Sequence, residues 1–221
     1  QGGVNNVLFY NTSQVDPSQF RSYADLLDPR WRGKIVATDI RQPGPGGVPS
    51  RFMYKQPELG PAFFERLFAE QDVQLSSDQR QMVDWLARGQ YALGLFLSDA
   101  NVQQAADQGL PVSAVPSDRF KEGASIGPGY GAVALMDKAP HPNAARLYIN
   151  WLLSKDGQSA WQSAIKGPSL RIDIPKDGLS EVQMPKPGGT YTNAGSEEYA
   201  RLTPTAIRDA INRGLAKAGK S

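Results

Sequence analysis

Short, largely apolar runs alternate along this chain with stretches whose apolar residues recur at helical spacing, and no other feature restricts the fold as much. The runs lie at residues 4–10 (VNNVLFY), 34–38 (KIVAT), 91–97 (YALGLFL), 111–115 and 131–136 (GAVALM). A strand that is apolar on both sides belongs in a sheet covered on both faces. Between the runs lie helix candidates. Residues 61–70 open with a proline suited to a first helical position and set Phe63, Phe64, Leu67 and Phe68 on one face. Residues 78–88 carry Met82, Val83 and Leu86, and Gly89 follows as a stop. Residues 101–108 end at Gly109 in the same way. Residues 143–153 are strongly periodic, Ser154 caps a second helix to residue 164, and Thr203-Pro204 opens a last one with Ile207, Ile211 and Leu215 on its inner face. The four tryptophans, Trp31, Trp85, Trp151 and Trp161, read as core. The pattern predicts an α/β fold with a largely parallel sheet.

Composition removes several function classes. With 221 residues the chain has room for one large domain or two modest lobes. It has no cysteine, so disulfide frameworks, thiolate metal sites and cysteine nucleophiles are excluded together. It has one histidine, so any Ser-His-Asp triad must use His141, and a multi-histidine metal site cannot form. The net charge of +2 is too balanced for a protein that grips nucleic acid by neutralising phosphates. No apolar run approaches the ~20 residues that cross a bilayer as a helix.

The chemistry-bearing stretches are few. Residues 38–51 (TDIRQPGPGGVPSR) run from a strand end through a Gly-rich loop to a short helix near Ser50. Ligands of open α/β sheets bind at the carboxyl ends of strands, and backbone N–H groups at a helix start suit an anion. Gly46 and Gly47 let the backbone come close and Ser50 adds a hydroxyl; a plain turn is the alternative. Ser98 and Asp99 follow a strand directly. Ser77 and Gln79 sit at a helix start, where capping by residues 76–78 is the competing explanation. Residues 127–132 (GPGYGA) mimic a dinucleotide fingerprint, but they precede a strand and carry a proline at the second position, so they read as a crossover or hinge loop. His141 reads as a surface loop residue with no nucleophile or orienting carboxylate at a recognisable spacing. Asn11-Thr12-Ser13 matches a glycosylation sequon.

Four stretches in order resemble the extracellular solute-binding proteins of bacterial ABC importers, the group that includes ferric-iron-binding proteins. They are residues 7–12 (VLFYNT), 23–35 (YADLLDPRWRGKI), 86–94 (LARGQYALG) and 139–146 (APHPNAAR) leading to 151–158 (WLLSKDGQ). The resemblance implies a type II periplasmic-binding fold with two α/β lobes, two hinge crossings and ligand in the cleft. It implies a hinge strand at 1–14, the second lobe at 15–118, and a return crossing with the C-terminal part of the first lobe at 119–221. It also implies that the first lobe's opening part is missing, with Gln1 the start of a processed or truncated product.

The iron proteins place two adjacent tyrosines just after the strand matching YALGLFL. Here those positions read Leu97-Ser98-Asp99-Ala100, and no tyrosine pair occurs in the chain. Fe(III) wants anionic oxygen ligands, and Asp99 alone replaces them poorly. The expected activity is therefore non-catalytic binding of a small organic or oxyanionic solute for delivery to an ABC permease in a Gram-negative periplasm. The expected protein is a monomer without cofactor, bound metal or nucleic-acid partner. The expected contacts are Tyr10, Gly46, Gly47, Ser50, Ser77, Gln79, Ser98 and Asp99, and the Gly loop favours an anion whereas Asp99 suits an ammonium. A ferric-iron carrier, an enzyme and a sensory domain on the same fold are the alternatives.

Overall fold

Two asparagines inside the first apolar run decide how the chain is divided. The run at residues 4–10 is not one strand: in the computed structural model it splits into β1 (Gly3–Asn5) and β2 (Leu8–Asn11), which belong to different sheets. Asn6 lies at the break and is buried, with its amide spent on Asp99 and Ser117. A buried amide needs such partners, and no regular strand would supply them. The structure describes residues 3–127, 133–201 and 204–220, without the side chains of Ala200 and Pro204.

β3 (Ile35–Thr38) follows three short 3-10 turns, each started by an acidic or hydroxyl cap: Asp16, Ser22 and Asp28. Then come α1 (Gly47–Lys55), α2 (Gly60–Glu70), β4 (Gln74–Ser76), α3 (Gln79–Ala87), β5 (Leu93–Leu95), α4 (Asp99–Asp107), β6 (Val112–Ala114) and β7 (Ala124–Gly127). The chain ends with α5 (Pro142–Leu153), α6 (Lys155–Ile165), β8 (Tyr191–Asn193), α7 (Glu197–Ala200) and α8 (Pro204–Lys217).

The larger sheet has the order β4-β3-β5-β2-β6, and the smaller β1-β7-β8. β3 runs parallel to β4 and β5, but β2 runs antiparallel to β5 and β6, so the larger sheet is mixed where a largely parallel one was expected. The reason is that β2 enters from the other sheet and not through a β-α-β crossover. Short strands at residues 74–76, 124–127 and 191–193 have no apolar run to announce them, because each carries polar residues and only three or four positions.

Both faces of the larger sheet are covered. Ile35, Ala37, Leu93 and Leu95 pack with Phe52, Phe63, Phe64 and Phe68, whereas Val36 and Phe9 pack with Met82, Leu86 and Val102. α8 also joins the first of these cores. Ile207, Ile211 and Leu215 are buried, Gly214 sits against the backbone of α2, and Arg213 and Lys217 pair with Glu65. The division that gives residues 119–221 wholly to the first lobe therefore does not describe α8, which packs on the lobe built around the larger sheet.

Other expectations change too. Val133 to Met136 lie in no strand, so the described part of GAVALM joins neither sheet, and Pro128 to Ala132, read as a hinge loop, lie outside the described residues, as does Thr203. Trp31 is buried, Trp85 and Trp161 are half-buried, and Trp151 is exposed, so only the first reads fully as core. Asn11 of the sequon is buried, its amide donating to Leu86 O at 2.8 Å, which leaves no room for a glycan. Ser154 does cap α6, accepting from Gly157 N at 3.1 Å.

Candidate functional site

The carboxyl ends of β3 and β5 are neighbours, because the two strands pair in parallel, and each is followed by a loop and a helix. After β3 the loop ends at Gly46, the N-cap of α1, in a left-handed conformation with φ 93°. After β5 the turn passes through Phe96, a non-glycine residue with φ 59°, and Ser98 is the N-cap of α4. The two turns are pressed together: a Cβ on Gly46 would stand 2.5 Å from Phe96 Cβ and 2.9 Å from Ile40 Cγ2. Only glycine meets both demands at position 46, a positive φ and no side chain.

A bridge from α3 fixes this arrangement. Gln79 Nε2 donates to Thr38 Oγ1 at 2.8 Å, and Gln79 Oε1 accepts from Ser98 N at 2.8 Å. Thr38 Oγ1 in turn donates to Phe96 O at 2.6 Å. One part-buried network thus ties the ends of both strands to the start of α3.

Neither Gly46 nor Ser98 caps its helix with a side-chain hydrogen bond. The first N–H groups of a helix have no intrahelical partner, and the dipole adds partial positive charge there. Both starts open into one cavity of about 540 Å³, lined by Gly46, Gly47, Ser98 and Asp99 together with Asn5 and Asn6 of the inter-sheet crossing. Gly127, which ends β7, and Gly195, which follows β8, complete it, so the cavity lies between the two sheets' loops. Among the described lining residues none is basic, and Asp99 is the one acid.

Asp99 is half-buried in the first turn of α4. Desolvation pushes its carboxyl up to about 7, against the hydrogen bonds from Asn6 that favour the charged form. Near neutrality it is therefore divided between the charged and the protonated form, and the latter can donate as well as accept. A second cavity, of about 650 Å³, lies on the other side of Asn5 and Asp99, between α4 and the end of α6, with Asp107, Trp161 and Lys166 in its wall.

The structure thus brings Gly46, Gly47, Ser98 and Asp99 together and leaves the other four elsewhere. Tyr10 lies in β2 opposite Leu93 and Ser113, packed against the core, and burial raises its phenol. Ser50 is buried, and its hydroxyl donates to Gly47 O at 3.1 Å. Ser77 is exposed beside the Asp78 cap of α3. Gln79 spends its amide on the bridge. Sequence reasoning missed Asn5, Asn6, Gly127 and Gly195. The Asn pair was visible as a polar break in an apolar run, but nothing local marks the two glycines. Among the described residues no group of three or more His, Asp or Glu side chains is placed to hold a metal, and no helix is long and apolar enough to cross a membrane.

Two sheets joined by a crossing, with helix starts opening into a cavity between their loops, define a binding protein of the two-lobed α/β class. Residues 5–164 match the family described as bacterial extracellular solute-binding protein, and the chain belongs to that family. No curated protein matches the chain by sequence. Among solved structures it is similar to the periplasmic binding protein AfuA from Actinobacillus pleuropneumoniae, described with exogenous fructose-6-phosphate bound. That match has TM-score 0.69 and 18% identity, and covers 100% of this chain and 67% of AfuA. Iron-bound HitA from Pseudomonas aeruginosa matches with TM-score 0.60 and 19% identity over 99% of this chain and 67% of HitA. A protein described as a two-component system protein mediating signal transduction matches with TM-score 0.62 and 20% identity over 83% of this chain and 60% of its own. At these identities the likeness is one of fold, the type II periplasmic-binding fold. The chain spans 60% to 67% of the length of these structures.

Proposed function

We propose that this chain is a non-catalytic binding component that takes a small organic or oxyanionic solute into the cavity at the starts of α1 and α4 and delivers it to an ABC permease in the periplasm. The observation that carries the reading is the convergence of two helix starts, neither capped by a side chain, on one cavity between the loops of both sheets. The N–H groups of Gly47 and Val48 and those opening α4 favour an anionic group, with Gly46 giving the close approach. Asp99, whose carboxyl desolvation raises to about 7, can in its protonated form donate to an anion instead of repelling it, which reconciles the glycine loop with the acid beside it. Ligand that touches the loops of both sheets favours the closed arrangement of a hinged molecule.

A sugar phosphate has this chemistry, and AfuA is described with one bound. A ferric-iron carrier is disfavoured because the described lining residues offer one carboxylate and no phenolate. A ligand-sensing role is the second reading, favoured by the likeness to the two-component system protein. Native mass spectrometry of the purified protein, followed by calorimetry with fructose 6-phosphate, inorganic phosphate, putrescine and ferric citrate, tests the proposal. An organic anion carried through purification, or heat with a phosphate compound alone, supports it. Heat with putrescine, or stoichiometric iron, overturns the anion reading.

A further inference from the structure

The cavity of about 650 Å³ has the opposite polarity to the first one. The first receives the starts of two helices, whereas this one takes in the last turn of α6. The final carbonyls of a helix have no intrahelical donor, and the dipole leaves partial negative charge there. The chain beyond α6 does not supply the donors either. Pro168 has no N–H to give to the Ala164 carbonyl, and the Ser169 N–H that would reach Ile165 is spent on Gln162 Oε1 at 3.0 Å. Ala164 and Ile165 both line the cavity.

Two further acceptors come from other elements. Asp107 is the last residue of α4. Its Oδ1 accepts from Gln103 Nε2 at 2.8 Å, and its Oδ2 has no partner among the described residues. Gln183 belongs to a 3-10 turn, Glu181–Gln183, packed beside β1. It is 8% exposed, and its Oε1 is buried with no hydrogen-bond partner among the described residues. A buried acceptor left unpaired costs free energy that an incoming donor recovers. Asp107 and Gln183 line the same cavity, and half-buried Trp161, one turn before the end of α6, adds an aromatic face. Among the described lining residues Lys166 is the one base. It closes α6 in a left-handed conformation at φ 53° and makes no ion pair or hydrogen bond among the described residues, so it does not occupy these acceptors.

Acceptors on three separate elements beside an indole call for one flat cation with several donors. A guanidinium carries its N–H groups in a plane and has a weakly hydrated face that stacks on an aromatic ring, whereas an ammonium is a compact, strongly hydrated point charge. The cavity falls within the range of about 300–1,000 Å³ usual for small-molecule sites. We propose that it is a second solute site, for a small compound bearing a guanidinium group, which stacks on Trp161 and donates to Asp107, to Gln183 Oε1 and to the carbonyls of Ala164 and Ile165. The site does not rest on the anion reading of the first cavity, although Asp99 stands in the wall of both.

Calorimetry of the whole chain with agmatine tests it, and putrescine, which has an ammonium where agmatine has the guanidinium, is the matched control. Agmatine should bind and putrescine should give no heat. Trp161→Ala should weaken agmatine about tenfold. Asp107 is exposed, so Asp107→Asn leaves the fold intact, and it should weaken agmatine about fivefold. Lys166→Ala removes a like charge and should tighten agmatine about twofold. Fructose 6-phosphate, a probe of the first cavity, should give the same isotherm with all three variants. A chain that binds agmatine but no phosphate compound leaves this site standing and overturns the anion reading alone. No heat with millimolar agmatine overturns the second site. So does putrescine bound as tightly as agmatine, or an agmatine affinity that neither Trp161→Ala nor Asp107→Asn changes.

Discussion

Asn6 Nδ2 donates to Asp99 Oδ1 at 2.6 Å, and the same side chain's oxygen accepts from Ser117 Oγ at 3.0 Å. The first bond ties the crossing between the two sheets to the first turn of α4. Through its two bonds Asn6 also ties the crossing to Ser117.

Asp99 makes both stability and binding depend on pH. Its folded pKa of about 7 lies above the roughly 4 of an unfolded aspartate. Between these values the folded state holds the proton that the unfolded state has lost, so this group's contribution falls as pH rises from about 4 to about 7 and is level above that. Urea midpoints of the wild type and of Asp99→Asn, measured from pH 4 to 8, should diverge in favour of the variant across this window. Affinity for a phosphate ligand should weaken above pH 7 in the wild type and stay flat in Asp99→Asn. Parallel profiles for the two proteins would remove Asp99 from the account.

Gly46→Ala forces a methyl group to within 2.5 Å of Phe96 Cβ at a residue with φ 93°. The expected loss is about 1–3 kcal/mol by urea unfolding. Gly47→Ala is the control, because a Cβ there meets nothing within 4 Å and φ is not positive. Its stability should stay within about 0.5 kcal/mol of wild type. Equal losses at the two positions would contradict the close approach of the loop to Phe96.

Gln79→Ala leaves Ser98 N and Thr38 Oγ1 without their shared partner. It should cost about 1–3 kcal/mol and weaken solute binding, although Gln79 does not line the cavity. Gln79→Glu keeps the acceptor for Ser98 N and should recover part of the affinity. Calorimetry that finds unchanged affinity for Gln79→Ala would show that the bridge does not position the start of α4.

Ile211→Ala empties a side-chain site that is 1% exposed between α8 and α2, with an expected cost of about 2–5 kcal/mol. Gly214→Ala should also destabilise, since its Cβ would lie 2.5 Å from the Glu65 carbonyl oxygen. Both should lower the main unfolding transition, because α8 shares the core of the larger sheet. A separate early transition for α8, with the main midpoint unmoved, would contradict that packing.

The sequence by itself determined the alternating α/β character, the helices opened by Pro61, Asp78 and Ser154, and the Gly-rich loop at a strand end. These are local matters: periodicity, a cap or a proline acts within one turn of the chain. The rule that ligands of such sheets bind at strand ends pointed to Gly46, Gly47, Ser98 and Asp99, which line one cavity. Only the tertiary structure decided which polar groups remain free. Gln79 and Ser50 have the chemistry of ligand contacts, but their hydrogen bonds are taken by Ser98, Thr38 and Gly47, partners chosen by packing and not by spacing. It also decided that α8 buries its apolar face while α5 exposes one of the same pattern, because burial depends on what lies opposite a helix, and that is written elsewhere in the chain.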